Sequence, residues 1–124
     1  MSENVVIVAA KRTPIGGFLG KLSHLSATEL GVISHLASIE QANISHDLID
    51  EVIMGCVLPA GLGQAPARQT AIHAGLGHHV RATTVNKVCG SGMQALIHAS
   101  DAISQGRSQM VLAGGMESMS NAPY

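Results

Sequence analysis

The sequence predicts an α/β fold built on a mainly parallel sheet. Three observations predict it. Apolar and β-branched runs alternate with helical periodicities in the order βαβαβαβ. The first run, VVIVAA at residues 5–10, is apolar without interruption, the pattern of a strand buried on both faces. Glycine and proline fall between the periodic segments, where short crossover turns belong.

The elements follow in order. After the strand at 5–10, residues 11–25 carry Pro14, Gly16, Gly17 and Gly20 and read as a loop. Ser26 and Glu29 have capping-box spacing, and Leu30, Ile33, Leu36 and Ala37 mark a helical face up to about Ala42. Residues 51–58 form the second strand. Pro66 suits the first turn of a second helix and Gly75 its carboxyl cap. Residues 83–88 are a β-branched third strand, and a third helix runs from about Gly90 to Gly106. Residues 110–113 make the fourth strand, followed by Gly114 and Gly115. Ligands of such sheets sit at the carboxyl ends of the strands. Cys89 and the loops after Ala10, Leu58 and Ala113 share that edge.

The composition limits the function classes. Charged residues make up 12% of the 124 residues, against roughly 25% in an ordinary globular domain. Much of the surface is therefore expected to lie against another half or another subunit. The third helix points the same way. From Gly90 to Gln105 its one charged residue is Asp101, and a helix apolar most of the way round needs a layer on each side. A net charge of −1 leaves no footprint for nucleic acid. No apolar run is long enough to span a membrane. Met1, Ser2, Glu3 and Asn4 show no basic start of a signal peptide. Two cysteines without a CxxC spacing fit a reducing, cytoplasmic setting. No spacing for metal ligands occurs.

The two cysteines read differently. Cys56, between Gly55 and Val57 in a strand, is expected to be a small buried hydrophobe. Cys89 ends a strand, and Gly90, Ser91 and Gly92 lead into a helix. A thiol at the positive end of a helix on a tight turn is placed to act as a nucleophile, and the thiolate is the reactive form. Such a nucleophile needs a general base, most often His. His78 and His79 stand at the far end of the third strand, about 20 Å away. His98 lies about 13 Å along the helix. His73 and His46 close helices at the wrong edge, and His35 is mid-helix. Only His24 lies on the right edge, so the base is expected outside these residues. Gly90-x-Gly92-x-x-Ala95 also fits the relaxed dinucleotide fingerprint, a second function class. Its acidic partner should stand where Leu112, Ala113, Gly114 and Gly115 are found, and Glu117 comes late.

The stretch Asn86-Lys87-Val88-Cys89-Gly90-Ser91-Gly92-Met93 resembles the nucleophile motif of the thiolases, in particular their acetyl-CoA C-acetyltransferase branch. Arg12-Thr13-Pro14-Ile15-Gly16, Gly63-Gln64-Ala65-Pro66-Ala67-Arg68-Gln69 and VLAGGMESMS at 111–120 are similar to further family segments in the same order. The resemblance implies the amino-terminal half of a layered αβαβα fold, with residues 1–124 as that half. The loop domain that holds CoA, and the second half with its His, second Cys and Asn, are expected outside it. It implies reversible Claisen condensation of two acetyl-CoA to acetoacetyl-CoA and CoA. Cys89 would carry the acyl group as a thioester, with its backbone N–H in the oxyanion hole. CoA thioesters would be substrates, with no cofactor bound, no CoA-binding residue placed and a homo-oligomer as the assembly. A pocket that only binds an acyl chain or CoA is the alternative.

Overall fold

The computed structural model describes residues 4–124, so Met1, Ser2 and Glu3 and the expectation placed on them lie outside the described residues. Three strands form one sheet: β1 (Glu51–Gly55), β2 (Arg81–Val85) and β3 (Val111–Gly115). Their order is β2-β1-β3 and both pairings are parallel, with Ile53 opposite Thr83 on one side and Ala113 on the other. Three helices accompany them: α1 (Ala27–Ala42), α2 (Pro66–His73) and α3 (Ser91–Ser104). The chain leaves β1 towards β2 through α2, then returns across the sheet to β3 through α3. Reversing direction puts α3 on the face opposite α2, as right-handed crossovers require.

The local chemistry explains these elements. Ser26 and Glu29 form the expected capping box at α1: the Ser26 oxygen accepts from the Glu29 amide at 3.2 Å and the Glu29 carboxylate accepts from the Ser26 amide at 2.7 Å. Pro66 opens α2. Gly75 ends it at φ +82°, a left-handed turn that glycine adopts without strain. At the amino edge of the sheet, the Asp50 carboxylate accepts from the amides of Gln109 and Met110 at 2.7 and 3.0 Å and so fastens the entry to β3 beside β1. Those two bonds hold its carboxyl below the usual carboxylate range, with Gln109 the larger cause.

The two faces of the sheet differ. Val52, Met54 and Cys56 point to one side and join Ala27, Ile39, Ala67, Ala71 and Met116 under α1 and α2. Full burial of Val52 and Met54 contributes roughly 1.5–3 kcal/mol each. Ile53 points to the other side and meets Ala95 and Ala99 of α3.

Four expectations need correction. Residues 5–10 form no strand. Both edges of β1 are occupied by β2 and β3, and the 5–10 segment has no ladder partner among the described residues. Its side chains are open, Ile7 at 79%, and the Ala10 amide donates to the Gln41 side chain instead. An apolar run can specify burial, but a strand also needs a neighbouring backbone. The order among the described residues is therefore αβαβαβ. Second, β1 stops at Gly55 and β2 spans 81–85, because the residues after each strand bend into the loops of the carboxyl edge. Third, the fourth run is longer than expected: β3 continues through Gly114 and Gly115, which pair with Met54 and Gly55. Fourth, α1 buries Ala27, Gly31, His35 and Ile39, and leaves Ile33 and Leu36 exposed. Gly31 permits this, since a Cβ there would stand 2.9 Å from Met116 Sδ and from Thr70 Cγ2.

His35 is the one buried ionisable side chain of α1. Its Nε2 lies 3.1 Å from Thr70 Oγ1, and the Thr70 hydroxyl donates to the Ala67 carbonyl at 2.8 Å. The hydroxyl oxygen therefore accepts the ring N–H. Burial pushes the imidazole pKa down from 6.5 to about 4. The unfolded chain thus binds the extra proton between these values. The stability tied to a neutral His35 is complete above the higher value, falls as pH drops through the window and is gone below the lower one. Moving from about pH 7 to about pH 5 should remove about 2 kcal/mol. Denaturant midpoints measured across this range should show the slope, and His35→Leu should flatten it.

Candidate functional site

Cys89 is exposed at the carboxyl edge of the sheet, two residues ahead of α3. Its position follows from a turn that the surrounding groups hold in an unusual shape. Val88 has φ +48°, the left-handed region. For a β-branched residue this is an outlier that costs on the order of 1–3 kcal/mol and persists only where its surroundings enforce it. They do so here. The Asn86 side-chain oxygen accepts from the Val88 amide at 2.9 Å, and its nitrogen donates to the Val57 carbonyl at 3.3 Å. Ser91 is buried; its hydroxyl accepts from the Lys87 amide at 2.8 Å and donates to the Val88 carbonyl at 2.6 Å. The Gly90 and Ser91 amides close onto the Lys87 and Val88 carbonyls.

The helix behind this turn lies very close to the sheet. A Cβ on Gly55 would stand 2.5 Å from the Ser91 carbonyl carbon and 2.7 Å from the Gly92 nitrogen. Only glycine at the end of β1 lets the first turn of α3 dock there. Gly92 and Ala95 of the dinucleotide-like pattern are accounted for by the same packing: Gly92 lies beside Gly115 and Ala95 is buried on the sheet. Small residues Ser91, Ala95, Ala99 and Ala102 face inward. Met93, Leu96 and Ile97 face out, Met93 at 64% exposure.

The other edge loops are tied to this one. Glu117, after β3, reaches to the loop after β1, where its carboxylate accepts from the amides of Val57 and Leu58 at 2.8 and 3.0 Å. The Cys56 thiol lies 3.8 Å from the same carboxylate. Burial first, and the Glu117 charge second, push that thiol up to about 11. Cys56 is therefore a protonated, enclosed thiol just past the end of β1, and Cys89 an accessible one. The Ser120 hydroxyl accepts from the Leu19 amide at 2.8 Å, and Asn121 donates to the carbonyls of Ser23 and Leu25, which brings in the loop ahead of α1.

A groove of about 470 Å³ runs between residues 11–18 and the end of β3. Cys89 does not line it. The position of Cys89 among the edge loops carries more chemical weight than the groove's size, because a nucleophile must be reached by substrate and the groove holds no thiol. His24, the histidine expected on the right edge, precedes α1 and lies near Glu29, whose carboxyl is held low first by its hydrogen bonds to Ser26 and only last by His24. It belongs to the α1 layer, across the sheet from α3. His98 lies on α3 among Glu51, Asp101 and Arg107, at the opposite end from Cys89. Among the described residues no three His, Cys, Asp or Glu side chains are grouped to hold a metal ion. No described helix is long and apolar enough to cross a membrane.

Sequence reasoning missed Glu117 and Asn86 as organisers of this edge. Both are polar residues just beyond strand ends, which is the trace they leave in the sequence. What they bind is backbone, and backbone partners have no sequence code.

Residues 5–124 match the family model for the thiolase N-terminal domain. The chain is 53% identical to the acetyl-CoA acetyltransferase of Escherichia coli, over 98% of its own length and 31% of that protein. It is 53% identical to the acetyl-CoA acetyltransferase of Saccharomyces cerevisiae, over 100% of its length and 32% of that protein. A solved thiolase from Ascaris suum, in complex with coenzyme A, superposes with a TM-score of 0.93 at 44% identity, covering 94% of this chain and 31% of that one. The chain thus spans about a third of the length of the relatives it matches.

Two outcomes follow from the geometry. Iodoacetamide should label Cys89 well ahead of Cys56 in the folded chain, by peptide mass spectrometry, and the preference should vanish in denaturant; equal labelling in the folded chain would contradict the structure. Gly55→Ala should force α3 off the sheet and destabilise the chain by about 1–3 kcal/mol, the range for overpacking, read from denaturant midpoints.

Proposed function

The chain belongs to the thiolase family as its N-terminal domain, and on that basis we propose that it supplies the acyl-accepting cysteine of an acetyl-CoA C-acetyltransferase. The single observation that carries the reading is the exposed Cys89, held at the amino end of α3 by a strained turn. The relatives named acetyl-CoA acetyltransferase, and the coenzyme A complex of the Ascaris suum thiolase, support acetyl-CoA and CoA as the substrate pair.

In this reading the Cys89 thiolate attacks the carbonyl carbon of an acetyl thioester. The new carbon–sulfur bond forms to Cys89, the bond to CoA breaks, and CoA leaves as a thiolate that takes up a proton. The attacking and leaving sulfurs are of similar basicity, so exchange is nearly balanced and reversible. The Cys89 backbone N–H, ahead of the helix, stabilises the tetrahedral oxyanion. A second acetyl-CoA, deprotonated at its methyl carbon, then attacks the acetyl carbonyl; the new carbon–carbon bond forms, the thioester bond to Cys89 breaks, and acetoacetyl-CoA and the free Cys89 thiolate result.

That deprotonation needs a base. The family resemblance assigns that acid/base role to a second Cys, beside an activating His, in a second half, and no histidine here stands in the Cys89 turn. The 124 residues alone therefore accept an acetyl group without completing the cycle. The exposed apolar side chains, Met93, Leu96 and Ile97 on α3 and Ile15 and Phe18 in the loop before α1, fit coverage by further protein, and the assembly is proposed as a homo-oligomer. A free thiol nucleophile suits a reducing compartment, the cytoplasm.

Incubation with acetyl-CoA should add one acetyl group at Cys89, seen by intact and peptide mass spectrometry, and Cys89→Ser should abolish it. Thiolysis of acetoacetyl-CoA by the purified chain should be undetectable. Turnover that disappears in Cys89→Ser would mean that the base is within these residues after all.

A further inference from the structure

We infer that Glu117 is a positioning residue for Cys89, acting through Val57 and Asn86 on the strained turn at Val88. The inference rests on the proposed role of Cys89 as acyl acceptor.

A continuous line of contacts runs across the carboxyl edge of the sheet. It starts at the Glu117 carboxylate after β3 and crosses to the loop after β1, where the Val57 N–H donates to it at 2.8 Å. The carbonyl of the same residue accepts from the Asn86 side chain at 3.3 Å, in the loop after β2. The oxygen of that side chain accepts from the Val88 amide at 2.9 Å. Val88, at φ +48°, is the residue before Cys89. One residue from each strand's exit loop thus contributes, and Val57 is gripped on both of its peptide groups.

The strain at Val88 gives this line its consequence. A β-branched residue left to itself returns to negative φ. That return rotates the peptide between Val88 and Cys89, and with it the Cys89 N–H and the direction of the Sγ. Glu117 holds Val57, Val57 fixes the amide plane of Asn86, and Asn86 keeps the Val88 N–H where positive φ puts it. Leu58, whose amide also donates to Glu117 at 3.0 Å, keeps the carboxylate itself from turning away. Removing the carboxylate releases the far end of the line while leaving Cys89, Gly90 and α3 chemically intact.

The test measures the rate at which Cys89 is acetylated by a small acetyl thioester, S-acetyl-N-acetylcysteamine, which needs no CoA-binding site. Glu117→Gln should slow the reaction about tenfold, the scale expected when a conformation strained by this much is no longer enforced. Val88→Gly in the Glu117→Gln background should restore most of the rate, because glycine holds positive φ without help. Any shift of the denaturant midpoint by Val88→Gly should be the same with and without Glu117→Gln, whereas the gain in rate should appear only with Glu117→Gln. A merely structural role for Glu117 would not be rescued in rate alone. Asn86→Ala, at an exposed residue, should slow acetylation to the same extent, and the double variant with Glu117→Gln should fall no further, since both cut one line. If Glu117→Gln fails to fold, Glu117→Asp, whose shorter carboxylate draws back from the Val57 amide, takes its place, with the same loss of rate and the same Val88→Gly rescue expected. An unchanged rate in folded Glu117→Gln, an absent rescue or additive losses would overturn the inference. A wild-type chain that is not acetylated at Cys89 in preference to Cys56 would instead overturn the reading of Cys89 itself.

Discussion

Gly55 has no side chain, and the first turn of α3 occupies the space where one would be. This contact between a strand end and a helix start fixes most of the molecule's chemistry. It sets how deeply α3 sits on the sheet, and therefore where the turn ahead of α3 emerges. Ser91, buried in that contact, binds back to Lys87 and Val88 and so shapes the turn from inside. Asn86 shapes it from outside. Cys89 is left on the edge, just after a Val88 whose left-handed backbone a β-branched residue would not adopt alone. Close packing of helix on sheet thus becomes orientation of a sulfur.

The same close approach explains the division of side chains around α3. Small residues face the sheet because larger ones would push the helix away, so the larger apolar residues point outward. A helix facing water on that side would be expected to carry charge there. The low charged content of the whole chain has the same origin: apolar side chains at residues 5–8, 15, 18, 93, 96 and 97 lie open. Such area is uncommon on a protein that stands alone.

Two cysteines in one small fold show how environment sorts a single chemical group. Cys56 follows a central strand, is enclosed by both helices of one face and lies against a carboxylate, all of which keep its proton on. Cys89 follows an edge strand and meets solvent. Glu117 takes part in both situations. It raises the thiol beside it and, through backbone groups, braces the loop next to the turn that carries the other.

Much of this was legible in the sequence. The capping box at Ser26, the proline start of α2, the glycine stop at Gly75 and the Gly-Ser-Gly lead from Cys89 into α3 are local patterns, and local hydrogen bonding and steric limits enforce them wherever the chain goes; the strand ahead of Cys89 ends at Val85 instead of running into it. Composition gave an expectation of surface covered by further protein, and the fold leaves apolar side chains such as Ile7, Ile15 and Met93 open. The strand at 5–10 was wrong because an apolar run records a preference for burial, whereas pairing depends on which backbone arrives beside it. The buried stripe of α1 was misassigned because Gly31 permits an approach that no hydrophobic periodicity reports. The positive φ at Val88 was invisible because no side-chain pattern reports a left-handed β-branched residue, and the reach of Glu117 to Val57 because it joins residues distant in sequence through a backbone amide that every residue shares. The sequence by itself marked Cys89 as the candidate nucleophile; only the tertiary structure decided the turn that precedes it, because Asn86 there is bonded to the backbone of Val57, which the fold brings in from the end of another strand.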